Sequence, residues 1–358
     1  MTRSHAVGKV ITFGEIMLRL APEGYNRFVQ AESFGAAFGG GEANVAVSLA
    51  NFGVDAAFVT KLPVHEIGQA AVNSLRQFGV DTSKIVRGGE RIGIYFLEKG
   101  ASQRPSKVIY DRANSAIATA SASDFDWDAI FGAAKGAAES AASGAACWFH
   151  FTGISPALSD AAAAITLDAA KAAKEKGLMV SCDLNYRKNL WTKEKAGKVM
   201  AGLMPYVDIC MANEEDAADV FGLHAQNTDV ATGSISREGY QEVAKALIDR
   251  FHFKKVAITL RESISANDNN WAAMYCVGNN SCFSKKYAMH IVDRVGGGDS
   301  FSAGLIYANL SGMDPQESVE FAAAASCLKH SIEGDFNQVS AGEVKKLAEG
   351  DSSGRVQR

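Results

Sequence analysis

The seven residues Asp293–Asp299 contain three consecutive glycines, Gly296, Gly297 and Gly298, and a helical pattern begins directly after them at Ser300. Consecutive glycines let the backbone turn sharply, so that several N–H groups can approach an anion. A helix that begins at such a turn adds the positive end of its dipole. The spacing therefore predicts a binding site for a phosphate group.

Asp299 is the first side chain after the predicted phosphate site. A carboxylate normally repels phosphate, so this position suggests a general base that takes a proton from a hydroxyl attacking a phosphoryl group. An ordinary N-cap aspartate at a glycine-rich helix start has the same sequence. Both interpretations stay open on these seven residues alone.

A second glycine cluster, Gly39–Gly41, precedes Asn44 and a helical run over residues 45–53. The glycines permit a close approach, and the Asn44 amide offers a donor and an acceptor to hydroxyl groups. No Gly-x-Gly-x-x-Gly opens a helix after the first strand, which argues against a dinucleotide cofactor. No Gly-Lys-Ser or Gly-Lys-Thr occurs, which excludes a P-loop.

Length, composition and charge limit the classes of protein to which these motifs can belong. The 358 residues are 47% hydrophobic, enough for one large domain with a filled core. Lys plus Arg number 36 against 40 for Asp plus Glu, a net charge of −4, so nucleic acid is not an expected partner. Six scattered cysteines indicate reduced thiols, with a Cys276–Cys282 bridge as a minor alternative. Glu15 and Arg19 interrupt the N-terminal apolar run, so we expect a cytoplasmic protein without a membrane span.

Short apolar runs alternate with longer helical patterns from about residue 148 onward, which predicts βαβ units and a parallel sheet. The N-terminal third differs, because extended pieces at 28–34 and 92–98 interrupt the series and suggest a small β-lid. The Ala-rich stretches 133–146 and 161–173 predict packed helices, and Ser263–Asn270 reads as an irregular loop. The other predicted elements are strands at 11–16, 147–151, 178–182, 207–211 and 255–259 and helices at 42–52, 67–78, 158–176 and 237–251.

The glycine stretch Asp293–Asp299 closely resembles the C-terminal signature of the ribokinase-like (PfkB) sugar kinases, and the Gly39–Asn44 cluster resembles their N-terminal signature. Arg294 replaces the usual Thr and Gly297 the usual Ala. The resemblance spans roughly residues 10–348. It implies a three-layer α/β/α sandwich with a central, mostly parallel sheet, formed as a single domain over 1–358.

The same resemblance implies a β-lid formed by inserted segments at about 16–38 and 88–113, and a homo-oligomer that assembles through it. It also implies ATP and Mg²⁺ as cofactors. Gly40, Gly41 and Asn44 then bind the sugar, and Asp335 is a second aspartate that contacts the substrate.

The nucleotide side follows from the same resemblance. Asn213 and Asp216 resemble the family's Asn-x-x-Glu motif, which positions magnesium and phosphate, with Asp216 acting through a water because it is shorter than Glu. A plain N-cap with an acidic first turn is the alternative there. Thr259 and Arg261 end a strand where the nucleotide is expected, together with Gly296 and Gly298.

Two further segments, 104–116 and 183–191, resemble 2-keto-3-deoxygluconate kinases. A sugar acid needs a cation for its carboxylate, and the Arg112 guanidinium can supply a bidentate fork. The resemblance places Tyr95, Tyr110 and Arg112 at the substrate. Asn185 and Arg187 are placed near substrate or nucleotide phosphate. A solvated surface cation is the alternative for each arginine taken alone, and the resemblance favours the site for both.

The sequence thus predicts an ATP-dependent kinase for the terminal (6-) hydroxyl of 2-keto-3-deoxygluconate. Asp299 is the expected base, and backbone N–H groups of Gly296–Asp299 form the anion hole. The alternatives are a kinase for a neutral ketose such as fructose or for the galactonate epimer, and a non-catalytic sugar- or nucleotide-binding homologue. A nicotinamide oxidoreductase is a third class.

Overall fold

The computed structural model describes residues 8–132, 145–213, 215–225 and 236–350. Within these residues the chain forms a nine-stranded sheet, a four-stranded sheet and a two-stranded sheet. The strands are β1 (Lys9–Phe13), β2 (Met17–Ala21), β3 (Gly35–Gly39), β4 (Ala56–Val59), β5 (Lys61–Leu62), β6 (Val86–Arg87), β7 (Gly93–Glu98), β8 (Lys107–Asp111), β9 (Ala146–Thr152), β10 (Met179–Asp183), β11 (Ile209–Ala212), β12 (Lys255–Ser263), β13 (Asp268–Val277), β14 (Asn280–Phe283) and β15 (Tyr287–His290).

The large sheet has the order β14-β13-β12-β11-β10-β9-β1-β4, with β15 also beside β13. All neighbours from β4 to β12 pair in parallel, whereas β13 runs antiparallel to β12, β14 and β15. Parallel strands buried on both faces require continuous apolar runs, as in β9 and β11. The predicted βαβ cadence is therefore confirmed, and the carboxyl ends of these strands share one edge.

Helices cover both faces of this sheet and make a three-layer sandwich. One face packs against the helices Gly41–Asn51, Gly297–Leu310 and Pro315–Lys329 around Val47 and Phe301, and the other packs against the helices Asp160–Glu175, Lys193–Leu203 and Arg237–Phe251 around Phe149. The helices are α1 (Gly41–Asn51), α2 (Glu66–Arg76), α3 (Trp127–Phe131), α4 (Ile154–Ala157), α5 (Asp160–Glu175), α6 (Lys193–Leu203), α7 (Asp216–Phe221), α8 (Arg237–Phe251), α9 (Gly297–Leu310), α10 (Pro315–Lys329) and α11 (Ala341–Glu349). None of the helices in the described ranges is long and apolar enough to cross a membrane.

The four-stranded sheet, called the lid below, has the order β3-β2-β7-β8. Its two central strands pair in parallel, and its outer pairs are antiparallel. All five residues of β8 are exposed, so this edge strand is open to solvent. The lid thereby joins residues 17–39 to residues 93–111.

Two local predictions are wrong. Phe28–Gln30 forms a short 3-10 helix in place of an extended piece, with its first turn closed when the Arg27 backbone N–H donates to the Gln30 side chain. The stretch Ser263–Asn270 is not an irregular loop, because β12 and β13 pair as a hairpin up to Ser263 and Asn269. The Ser265 hydroxyl closes its short turn by accepting the N–H groups of Asn267 and Asp268.

The two Ala-rich stretches have different outcomes. The stretch 161–173 lies within helix α5, as predicted, because Ala is a strong helix former and Ser159 caps the helix start. Residues 133–144 lie outside the described residues, and Ala146 already belongs to strand β9. All six cysteines are free thiols, so the alternative of a Cys276–Cys282 bridge is wrong.

Candidate active site

A cavity of about 470 Å³ lies at the carboxyl edge of the parallel strands, between the large sheet and the lid. Every site residue predicted from the sequence lines it. These residues are Gly40, Gly41, Asn44, Tyr95, Tyr110, Arg112, Asn185, Arg187, Asn213, Asp216, Thr259, Arg261, Gly296, Gly297, Gly298, Asp299 and Asp335. The structure therefore brings residues from both ends of the chain into one site.

The predicted phosphate site is a tight turn at the N-terminus of α9. Gly296 has a left-handed φ of 82°, and a Cβ built there would lie 2.2 Å from the Asp335 carbonyl oxygen. A Cβ on Gly297 would lie 2.3 Å from the His330 ring, whereas Gly298 faces open space. The Ala of the family signature would therefore need a shift of the His330 ring at this position. The open side at Gly298 leaves the helix N-terminus accessible to an anion.

Asp299 lies in the first turn of α9, and its carboxylate Oδ2 accepts a 2.7 Å hydrogen bond from Asn44 Nδ2. The N-cap of α9 is Gly296 and not Asp299, so the N-cap interpretation is wrong. Burial raises the pKa of Asp299 to about 6, although the Asn44 hydrogen bond and the Arg187 charge lower it. The carboxyl group is therefore ionised at neutral pH yet a better proton acceptor than an exposed aspartate.

Asn44 links the two glycine clusters. Its Oδ1 accepts the Gly40 backbone N–H at 3.2 Å, while its Nδ2 holds Asp299. A Cβ on Gly40 would lie 1.9 Å from the Glu15 carbonyl oxygen, and a Cβ on Gly39 would lie 2.0 Å from the Asp335 carboxylate. These glycines let lid strand β3 and helix α1 approach the floor of the cavity.

Arg112 is only 8% exposed and is not a solvated surface cation. Its Nε donates to Glu15 Oε2 at 2.8 Å, and its Nη2 pairs with the same oxygen. Ser115 donates to the other Glu15 oxygen at 2.5 Å. The guanidinium also lies 5.4 Å from the centre of the Tyr110 ring. Arg112 thus lines the cavity as predicted, but its charge is shared with Glu15, a partner that the sequence did not reveal.

Asp335 and Tyr95 belong to a buried cluster that the sequence predicts only in part. Tyr95 donates to Asp335 Oδ2 at 2.5 Å, and Arg19 pairs with Asp335 at 2.8 Å and with Asp293 at 2.5 Å. In the sequence, Arg19 stands out only as an interruption of an apolar run. An arginine at an inward position of a strand is the available signal, since such a residue must be paired when buried.

The opposite wall carries Asn185, Arg187, Asn213 and Asp216 from the ends of β10 and β11. Asn213 Oδ1 accepts the backbone N–H of Asp216, but the N-cap position of α7 belongs to Glu215 and not to Asn213. The two Asp216 oxygens accept the N–H groups of Tyr186 and Asn213. Burial raises the pKa of Asp216, and these hydrogen bonds lower it.

Asp183 is a cavity residue that received no role from the sequence. Burial raises the pKa of Asp183 well above its usual range, and the nearby charges of Asp216 and Asp299 raise it further. The only sequence signal for Asp183 is its place at the end of a strand, directly before the segment Leu-Asn-Tyr-Arg. Among the residues that the structure describes, no group of three or more His, Cys, Asp or Glu side chains forms a metal cage. Mg²⁺ usually keeps several waters and binds through one or two carboxylates plus substrate phosphates, so a single carboxylate such as Asp216 fits it.

Thr259 and Arg261 lie at the cavity, as predicted, in the second half of strand β12. Arg294, whose direction the sequence left open, also lines the cavity and donates to the Ala266 carbonyl oxygen at 2.7 Å. Burial and the charge of Arg261 lower the pKa of Arg294. This end of the cavity therefore concentrates positive charge beside the N-terminus of α9, which suits a polyphosphate.

The comparison with protein families agrees with this geometry. A sequence model of the pfkB family of carbohydrate kinases matches residues 7–338. The chain belongs to the pfkB family of carbohydrate kinases. The ribokinase-like fold predicted from the two glycine signatures is thereby confirmed for this carbohydrate kinase.

Individual relatives cover nearly the whole chain. The 2-dehydro-3-deoxygalactonokinase of Haloferax volcanii is 30% identical over 346 residues, 97% of this kinase and 98% of that protein. The structure of 2-dehydro-3-deoxygluconokinase from Thermotoga maritima is 54% identical, with a TM-score of 0.89 over 96% of this kinase and 100% of that chain. An Escherichia coli structure, described as a ribokinase II with ATP and Mg²⁺, shares the fold at 19% identity, with a TM-score of 0.76 over 96% and 99% of the chains.

Proposed function

We propose that this pfkB carbohydrate kinase transfers the γ-phosphoryl group of ATP to the terminal (6-) hydroxyl of 2-keto-3-deoxygluconate. The observation that carries the proposal is the 54% identity, over nearly all of both chains, to a kinase named for this substrate, which is also called 2-dehydro-3-deoxygluconate. The cationic lining of the cavity supports it, because both a sugar acid and a polyphosphate are anions.

Three groups of this chain supply the chemistry. Asp299, held by Asn44, takes the proton of the attacking hydroxyl. The N–H groups at the start of α9, from Gly296 to Asp299, stabilise the charge on the transferring phosphoryl group. Arg187, whose charge acts on Asp299, neutralises the phosphate from the facing wall. Mg²⁺, when bound near Asp216 with the nucleotide phosphates, supplies further charge neutralisation.

The sugar lies between the glycine turn of α1 and the lid. Gly40, Gly41 and Asn44 contact its hydroxyls, and Tyr95, Tyr110 and Asp335 enclose it. Arg112 binds the carboxylate with the N–H donors that remain beside Glu15. Asn185, Asn213, Thr259 and Arg261 surround the nucleotide.

The test is an assay of ADP release with magnesium-ATP and 2-keto-3-deoxygluconate, combined with NMR of the product. Phosphorus coupling to the protons of C6 is the expected result, with no product when EDTA removes the metal. The Asp299→Asn protein is the control that lacks the proposed base. Turnover without a phosphoester at C6 would overturn the assignment of the acceptor hydroxyl.

The galactonate epimer is the second candidate acceptor, because the Haloferax volcanii relative is named for it. The two acids differ at one hydroxyl, so discrimination depends on one or two polar contacts in the cavity. A comparison of kcat/KM for the two epimers under identical conditions decides between them.

We also propose that the kinase forms an oligomer through the lid. Val108 and Ile109 on the edge strand β8 expose 40% and 54% of their surface, and Val29 in the segment between β2 and β3 exposes 88%. Light scattering of the wild type against Ile109→Lys tests this, with a smaller mass expected for the variant. An equal monomeric mass for both proteins would contradict the proposal.

A further inference from the structure

Arg19 belongs to the lid strand β2, but its guanidinium ends between two carboxylates of the main body. Nη1 lies 2.8 Å from Asp335 Oδ1, and Nη2 lies 2.5 Å from Asp293 Oδ2. The three side chains expose 3%, 2% and 1% of their surface. A fully buried arginine that bridges two aspartates is costly to desolvate, and nothing in the proposed chemistry uses it.

The two aspartates hold the loops on either side of the phosphate site. Asp293 Oδ1 accepts the Val295 backbone N–H, and its Oδ2 accepts the Gly334 N–H, both at 3.1 Å. These bonds connect the segment that enters α9 with the loop that follows α10. The Asp335 carbonyl oxygen in turn packs directly against Gly296, the residue that begins the anion hole.

Asp335 extends the same network to the sugar wall, since its Oδ2 accepts the Tyr95 hydroxyl at 2.5 Å. One guanidinium therefore connects the entrance of the anion hole to a predicted sugar contact. Its fork geometry allows this, because two donor nitrogens reach two separate carboxylates at once.

The Arg19 guanidinium supplies positive charge that the two buried carboxylates of Asp293 and Asp335 need. Burial raises the pKa of Asp335, and the Arg19 charge is the main influence that lowers it. Burial lowers the pKa of Arg19 itself, but its two ion pairs outweigh that effect and the net pKa is raised. Lys329 is a second buried cation that acts on both aspartates, and it donates to the Ile332 carbonyl oxygen at 3.1 Å. Without Arg19, two buried carboxylates would share a single ammonium group and repel each other.

We infer that Arg19 is a positioning residue for phosphoryl transfer: through Asp293 and Asp335 it holds the anion-hole entrance at Val295–Gly296 and the sugar contact Tyr95 in one arrangement. This inference rests on the proposed kinase reaction at the cavity. It assigns Arg19 no contact with either substrate, so its loss acts through the residues that it holds.

The experiment compares the steady-state kinetics of Arg19→Met and Arg19→Lys with those of the wild type, far below the unfolding temperature of each protein. We expect kcat to fall about 10-fold or more in Arg19→Met, because a misplacement of about 1 Å in a reacting site has large effects. The KM for ATP should change much less than kcat. Arg19→Lys keeps the charge but loses the forked guanidinium, so its kcat should lie between those of the wild type and Arg19→Met. Arg91→Met, which removes a lid arginine paired with Asp111 at the surface, is the matched control and should keep wild-type kcat.

A rescue measurement separates positioning from a general loss of structure. In Arg19→Ala, low millimolar guanidinium should restore part of kcat, whereas ammonium at equal ionic strength should not. If Arg19→Met does not fold, Arg19→Lys decides alone. Values of kcat within twofold of the wild type in the folded Arg19 variants would overturn the inference while leaving the kinase reaction intact. A wild type that phosphorylates no sugar or sugar acid would overturn the proposed function and this inference with it.

Discussion

The two ends of the active-site cavity are built in different ways. At the phosphate end, the site is backbone: a left-handed turn at Gly296 and the N-terminus of α9, fixed from behind by Asp335 and His330. At the proposed sugar end, lid side chains face the glycine turn of α1, and the lid strand β8 is an exposed edge. Substitutions other than proline leave a backbone N–H donor in place, whereas any substitution changes a lid side chain. The fixed end therefore suits the transfer chemistry, and the lid suits the choice of acceptor.

The largest expected effect comes from the fixed end. Asp299→Asn removes the carboxylate that we propose as the proton acceptor, and kcat should fall about 10²- to 10⁴-fold. Folding should not suffer, because a carboxyl group whose pKa is raised by burial destabilises the folded protein at pH values above that pKa. The check is kcat together with the melting temperature at pH 7.5, with the exposed Asp128→Asn as control. An Asp299→Asn protein that keeps most of its activity would remove Asp299 from its role.

Substitution of a side chain at the lid end should mainly change the KM for the sugar acid. Arg112→Ala removes charge-assisted hydrogen bonds worth about 1.5–3 kcal/mol, so the KM for the sugar acid should rise about 10- to 100-fold. The KM for ATP should change little. Arg104→Ala, a lid arginine paired with Glu98 away from the cavity, provides the matched control. Equal increases in both KM values would show that Arg112 supports the site generally and does not select the acid.

A steric substitution at the fixed end should cost stability. In Gly297→Ala the new Cβ would lie 2.3 Å from the His330 ring, and overpacking of this kind costs about 1–3 kcal/mol. Gly298→Ala is the matched control, since a Cβ there meets nothing within 4 Å. Chemical denaturation should show a lower midpoint for the first variant only. Identical midpoints would mean that the turn is less tightly packed than the structure indicates.

The smallest expected effect is a shift in pH dependence. Asp299, the proposed general base, would act when ionised, so kcat/KM should fall as the pH drops through about 6, the value to which burial raises its pKa. Asn44 donates a hydrogen bond that lowers this pKa, so Asn44→Ala should move the acid limb to higher pH. The measurement is the midpoint of the limb, whatever the absolute rate of the variant. An unchanged midpoint would mean that a group other than Asp299 controls the limb.

The backbone structure of the fixed end was predictable because its signals are local. Three glycines, an aspartate and a helix start lie within a few residues, and their backbone consequences follow from glycine alone. The alternation of strands and helices is local in the same sense, so the parallel sheet was predictable. The start of α9 also showed why the N-cap interpretation of Asp299 fails, since the cap position belongs to Gly296.

The contacts that hold the site together were not predictable, because their partners are distant in sequence. Arg19 is separated from Asp293 by 274 positions and from Asp335 by 316. Arg112 and its partner Glu15 are 97 positions apart. Only the folded sheet and lid bring such groups together, so single-sequence patterns reveal a charged residue but not its partner. The residue types around the cavity were therefore predicted, and the ion pairs that fix their orientation were found in the structure.

The most direct test is a coupled assay of ADP release with magnesium-ATP and five acceptors: 2-keto-3-deoxygluconate, its galactonate epimer, fructose, ribose and gluconate. A fixed phosphate end combined with an acid-selecting lid predicts turnover confined to the two keto-deoxy acids. A preference for fructose or ribose would contradict the role of the lid, although Asp299 and the anion hole would keep theirs.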